Sequence, residues 1–291
     1  MIVGPRDADG DRHAVVSTAA GLRGLVQDVR SRVRGHDLPL CAAGVTFYAT
    51  LGLVPLVLLA LFLSGQVAGE EVVRRLAGGV TRLLPDEQGA QSAARFLSAS
   101  GTSMGWLAAV CALLPASLYG EGLVRAFGRF SDGSRRVRSV HGRIGALVMV
   151  SMSPGLLLAG LGASRALTSA LGDGLGSRLL GVYFAFLVGW LSITPVLVFA
   201  YRALSPERPC TRALLWGGAG TASFLSGTCL GFVLFLSLGL DFGGAYGGSL
   251  GLATAAAAIG WIFVLHVIVL LGFVTTLALD DRGGHPLGAP A

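Results

Sequence analysis

The sequence predicts an all-α, polytopic membrane protein with six transmembrane helices, and three observations carry that prediction. Six windows of at least 21 residues contain no Asp, Glu, Lys or Arg: 38–69, 96–120, 144–164, 179–201, 213–240 and 242–279. A helix needs about 20 mostly apolar residues to cross the roughly 30 Å hydrocarbon core, so each window is long enough. Hydrophobic residues make up 53% of the chain and charged residues only 13%, far from the balance of a soluble domain. Finally, the basic residues alternate between rich and poor connections as the windows are crossed.

The elements follow in order. Residues 1–37 form a polar tail, with no periodicity before His13. From 14 to 35, Leu22, Leu25, Val26, Val29 and Val33 recur at helical spacing, while Arg23, Arg30, Arg32 and Arg34 fall mostly on the other side. That pattern fits an interfacial helix with a basic face for anionic headgroups, and equally an ordinary topology-setting flank. The first window begins behind this tail and is too long for a signal-peptide core, so no cleavable leader is expected. The transmembrane domain is placed at 38–279, followed by a short tail at 280–291. Its outer connection, 70–95, carries Val72, Val73, Leu76, Val80, Leu83 and Leu84 at helical spacing before Pro85. Short amphipathic helices on the membrane surface are expected there, as a lid or simply as packing. Pro55, Pro115, Pro154 and Pro195 place a proline within each of the first four spans, which permits kinks.

All 22 basic residues are arginines, and their distribution sets the orientation. With the N-terminus inside, the tail holds six and the second connection six more: Arg125, Arg129, Arg135, Arg136, Arg138 and Arg143. Arg202, Arg208 and Arg212 add three in the fourth connection, and Arg282 one after the last span. Only Arg74, Arg75, Arg82, Arg95, Arg165 and Arg178 are left outside, so both termini are expected in the cytoplasm. The net charge of +6 therefore reads as topology and attraction to anionic lipid at the cytoplasmic face. No soluble domain exists to present a basic face with interleaved aromatics, so nucleic acid is not an expected partner. The lack of lysine beside abundant Gly, Ala, Leu and Val suggests a GC-rich bacterial genome and hence the bacterial plasma (inner) membrane. Cys41, Cys111 and Cys229 lie inside apolar windows and Cys210 in a loop, which is no disulfide framework.

At this point the residues resemble a known family. The run from Val45 through Thr46, Phe47, Tyr48, Ala49 and Thr50 to Leu53-Val54-Pro55 is similar to the first-span signature of the YihY/BrkB membrane proteins. Leu83-Leu84-Pro85, the arginine-rich second connection, and Ala245-Tyr246-Gly247-Gly248-Ser249-Leu250-Gly251 fall in the family's order, from about Leu22 to Asp281. The resemblance implies a six-span inner-membrane protein. Three places depart from it: Arg125–Ser131 lacks the usual Asn and Tyr, the Tyr-Gly-Ser-Leu-Gly segment has an extra glycine, and Leu271–Thr276 lacks the usual acid and amide. It looks like a divergent member, in which any activity resting on that acid is changed or lost.

The family has carried a ribonuclease label, so hydrolytic chemistry is tested on the residues. Metal-dependent hydrolysis needs clustered His, Asp or Glu, whereas His13, His36, His141, His266 and His285 are scattered. No phosphate-cradling loop is present. Gly247-Gly248-Ser249-Leu250-Gly251 matches a nucleophile elbow in letters, but no strand precedes it and no acid lies between Ser249 and His266. The expectation is no enzyme, no catalytic residue, no cofactor and no metal.

Polar groups within the spans are the remaining candidates. Glu121 and Arg125 are four apart, an ion pair on one helix face or a gated pair beside a substrate path. His266 is either a proton relay or a histidine bonded to a neighbouring carbonyl or hydroxyl. Thr46, Tyr48 and Thr50 either bond their own backbone or join helices. Tyr246 and Ser249 form an irregular start to the last span or a turn followed by an N-cap. Gly227-x-x-x-Gly231 and Gly247-x-x-x-Gly251 read as close-packing faces. Thr46, Tyr48, Glu121, Arg125, Tyr246, Ser249 and His266 are thus the expected transport path. The expected function is movement of an amphiphilic or small solute, an envelope lipid among the options. The alternative is a membrane scaffold that binds partner helices or copies of itself.

Overall fold

A computed structural model describes residues 21–81, 90–131, 175–236 and 243–283, with a few single positions between 144 and 158. Every regular element among them is helical. Helix α1 covers 21–33, α2 Leu38–Ala68, α3 Glu70–Thr81, α4 Ala90–Thr102 and α5 Trp106–Phe130. After the third expected span, which lies almost wholly outside the described residues, come α6 (Leu175–Ala203), α7 (Thr211–Leu236) and α8 (Leu250–Asp281). Four of these, α2, α5, α6 and α8, are long and apolar enough to cross a membrane. At 26 residues, α7 is also of spanning length, and it packs between α6 and α8.

Local chemistry sets the boundaries. Gly35 turns the chain at φ +89° between α1 and α2, a conformation that favours a residue without Cβ. Asp37 then caps α2 by accepting from the Leu40 N–H, and Pro39 occupies the first turn, where its missing donor costs nothing. At the other end of the bundle, Ser249 Oγ accepts from the Leu252 N–H and caps α8. The residues before it, Gly247 and Gly248, both have positive φ (+65° and +82°). The extra glycine of this segment therefore serves a turn needing two left-handed residues in succession.

Two expectations shift. The second charge-free window is not one helix: it is divided at Ser103–Gly105 between α4 and the spanning helix α5. The span thus runs on to Phe130, and Arg125 and Arg129 belong to its last turns rather than to a connection. The close-packing glycines also lie elsewhere. Among the described residues, nothing stands within 4 Å of a Cβ built at Gly227, Gly247 or Gly251, and only the Trp261 ring, at 4.0 Å, near Gly231.

The tightest of the glycine contacts are between α7 and α8, where Gly217 faces Thr276 and Gly272 faces Thr221. Each helix offers a glycine and a threonine four residues apart, and each threonine hydroxyl is bonded back to its own helix: Thr221 to Gly217 O and Thr276 to Gly272 O. Polar hydroxyls are thereby satisfied while the backbones close on one another. Beside this seam Phe127, Tyr201 and Phe273 form an aromatic core, with Phe127 stacked on Phe273 at 4.1 Å.

Helix α1 is tied to the far end of the chain. Arg282, its side chain 6% exposed, donates through Nε and Nη2 to the Asp28 carboxylate (2.7 and 2.6 Å) and through Nη1 to Gly21 O. Arg32 pairs with Asp281 at 2.6 Å. Gly24 lies under the Arg282 guanidinium, where a Cβ would come within 2.6 Å of Nη2. Val29 and Val33 pack on the core, while Leu22 and Val26 stay exposed. Two of the charges counted as topology signals thus bind the two ends of the chain together.

Candidate functional site

The transmembrane helices enclose an apolar cleft of about 620 Å³. Its walls are Ala49, Gly52, Leu53 and Leu56 of α2, facing Ser192, Ile193, Val196 and Leu197 of α6, with α8 behind. Leu123 and Phe127 of α5 line one end, where Phe127 rests on Phe273. The α2 wall is smooth at Gly52 because a Cβ there would meet Pro115 O at 3.0 Å; α2 and α5 approach closely at that level.

Polar groups enter this cleft mainly at one level, through His266 and Tyr119. His266 Nδ1 lies 2.8 Å from Ile262 O, which can only accept, so Nδ1 carries the proton. Nε2 is then the acceptor, and the Tyr119 hydroxyl, 3.2 Å away, donates to it. The two rings meet edge to face at 5.6 Å. Thr46 Oγ1 donates to Ala42 O (2.8 Å), and its lone pair faces Nδ1 at 3.2 Å. The histidine, only 5% exposed, is held in place by groups on three helices.

A second cluster lies on another face of α2. Glu121, buried within α5, pairs with Arg125 Nη2 at 2.5 Å, and Arg125 Nη1 donates to the Tyr48 hydroxyl at 3.1 Å. The guanidinium also lies 5.9 Å from the Tyr48 ring centre. Tyr48 lies against Gly122, where a Cβ would come within 2.8 Å of its ring. Arg125 is largely exposed, so this pair joins a buried carboxylate to a guanidinium at the surface of the bundle.

The seven expected path residues therefore fall into three places. Thr46 and His266 meet; Tyr48, Glu121 and Arg125 meet; Tyr246 and Ser249 lie at the far end of α8. Thr50 bonds its own helix at Phe47 O. Sequence reasoning passed over Tyr119, the residue that brings His266 to the cleft. Its spacing with Leu123 and Phe127, i, i+4 and i+8, puts it on the face of α5 that lines the cleft. Among the described residues, no three His, Cys, Asp or Glu side chains come together as a metal site would require.

A family model described as "Virulence factor BrkB" matches residues 29–290, nearly the whole chain. No curated protein and no solved structure matches it.

Proposed function

The chain belongs to the BrkB family, and from that premise we propose that it moves an amphiphilic or small solute across the bacterial plasma membrane. In this reading the cleft between α2 and α6 holds the cargo, and the protein is not an enzyme. The arginine distribution supports six spans with both termini in the cytoplasm, the third span falling at 144–164. The observation that carries the proposal is the lining of the cleft: about 620 Å³ of apolar wall with an uncharged polar station at His266 and Tyr119. Burying an ion there without a partner would cost several kcal/mol. The part of the cargo that enters is therefore apolar or neutral, as the tail of an amphiphile is. Tyr119 offers one acceptor for a hydroxyl or amide.

A scaffold is the second reading, supported by the closure of the Thr46–His266–Tyr119 network, whose histidine nitrogens both bond within the protein. Cysteine accessibility in native membranes separates the two. Cys41, Cys111, Cys210 and Cys229 are replaced, and single cysteines are placed at Ala49, Ser192 and His266, with Arg125 and Ser249 as surface controls. Labelling of the first three by a small, uncharged, water-soluble thiol reagent supports an accessible cleft. Silence at those three, with both controls labelled, defeats the transport reading.

A further inference from the structure

Helix α6 has a second working face. The cleft takes Ser192, Ile193, Val196, Leu197 and Ala200, whereas a separate groove of about 790 Å³ runs along the opposite side of the helix. Trp190, Pro195, Val198 and Phe199 line it, Leu215 of α7 forms its edge, and Arg202 stands at one end. Leu191, 57% exposed, shows that this side of α6 is open to what surrounds the bundle. From Trp190 to Arg202 the groove follows 12 residues, about 18 Å of helix. One leaflet of the hydrocarbon core is about 15 Å deep. The groove therefore has the length of a single acyl chain.

Its charged end is built for an anion. Arg202 and Arg212 are both exposed, and neither pairs with a carboxylate among the described residues. The only bond described for Arg202 is a long one, 3.4 Å from Nη1 to Pro209 O. Arg212 lies one turn before Leu215, on the same face of α7. Arg208 adds a third exposed cation nearby. Among the described residues, the acids at this end include Glu207, which is half-buried, Asp280, whose Oδ1 accepts the Cys210 N–H at 2.7 Å, and Asp281, which pairs with Arg32. A partner helix is a poor fit, because its body is about 10 Å wide and close helix contacts use small residues. Trp190, Val198 and Phe199 are bulky.

We propose that this groove seats one acyl chain of an anionic phospholipid from the leaflet at the arginine-rich face, with Arg202 and Arg212 holding the headgroup phosphate. Basic pockets between membrane helices recognise headgroups in this way. The assignment stands apart from the cleft and from whether anything crosses the membrane.

Trp190 supplies the reporter, since its Nε1–H is bonded to Ala219 O and the ring is fixed beside the groove. The full chain, with Trp106, Trp216 and Trp261 changed to Phe, is placed in phosphatidylcholine nanodiscs containing phosphatidylglycerol brominated on its acyl chains. Saturable quenching is expected at a lower mole fraction than with brominated phosphatidylcholine. R202Q should raise the half-saturation point about five-fold and R202Q/R212Q further, the factor expected per basic side chain at an anionic surface. Arg30→Gln, an exposed arginine of α1, should leave it unchanged. Equal quenching by the two lipids, or an R202Q/R212Q variant that titrates like its parent, overturns the proposal. So does the absence of quenching together with a disulfide between copies formed through Leu191→Cys.

Discussion

Replacing Gly272 by alanine tests the seam between α7 and α8 on a single methyl group. A Cβ at Gly272 would lie 2.6 Å from Thr221 Cγ2 and 2.7 Å from Tyr201 Oη. Carbon atoms rest at about 3.5–4.0 Å, so the helices must part or the side chains must turn. Overpacking of this kind costs about 1–3 kcal/mol. Displacing Tyr201 also threatens its 2.8 Å bond to Val269 O, worth about 1 kcal/mol. Against this, Gly→Ala favours the helix by about 1 kcal/mol. The balance is a net destabilisation of about 1–3 kcal/mol. Unfolding of the full chain from mixed micelles by added SDS, followed by circular dichroism, measures it. Gly260→Ala on the same helix, with nothing within 4 Å of its Cβ, is the control and should be neutral or stabilising. Adding Thr221→Ala to Gly272→Ala removes the Thr221 Oγ1 and Cγ2 atoms, leaves only Tyr201 Oη close, and should recover much of the loss. A Gly272→Ala protein as stable as its parent, or one that Thr221→Ala fails to rescue, refutes the reasoning.

Three further outcomes are expected. Arg282→Gln should loosen α1 by about 1 kcal/mol, at the low end for a charged hydrogen bond because Asp28 is 44% exposed and water can replace the lost donor. Faster amide exchange over 21–33 reads this, and exchanging the two charges (Asp28→Arg with Arg282→Asp) should restore part of the protection. Tyr119→Phe leaves His266 Nε2 without its donor and should cost about 1–3 kcal/mol, less when His266→Leu is present as well; strict additivity of the two would count against the bond. On α3, the hydrogen bond from Arg75 holds the Glu71 carboxyl below its usual range. A lowered folded value means the pair contributes fully above the ordinary carboxylate range and is lost as pH falls through Glu71's own value. Exchange in α3 should accelerate there, with Glu71→Gln showing no such step.

The parts legible in the sequence were those governed by local composition. The windows starting at Leu38 and ending near Leu279 became α2 and α8 because uninterrupted apolar residues leave a helix no other solution in lipid. The amphipathic spacing of Leu25, Val29 and Val33 likewise became α1. The window at 96–120 misled because lack of charge is not continuity of helix: Ser103-Met104-Gly105 breaks the chain without a single ionisable group. The pairing of Glu121 with Arg125 was legible from their spacing of four, but not that the helix runs on past them, because such a pair lets charges continue inside a span. The glycine faces show a third limit. Spacing of four marks a helix face, but which turn meets a neighbour depends on the partner, so among the described residues Gly217 and Gly272 pack where Gly227 and Gly251 do not. The meeting of Tyr119 with His266, 147 residues apart, has no local signature at all.

The bond between Asp28 and Arg282 also sets a clock. Its partners are 254 residues apart, so one is translated long before the other. At about 5–20 residues per second, Asp28 waits roughly 13–50 s for Arg282 to be made. During that interval α1 is synthesised but has no dock, and its basic face is free to rest on anionic lipid. Docking of α1 therefore waits until the end of α8 has been made, and a nascent chain stopped before Arg282 exposes a helix that the finished protein holds in place.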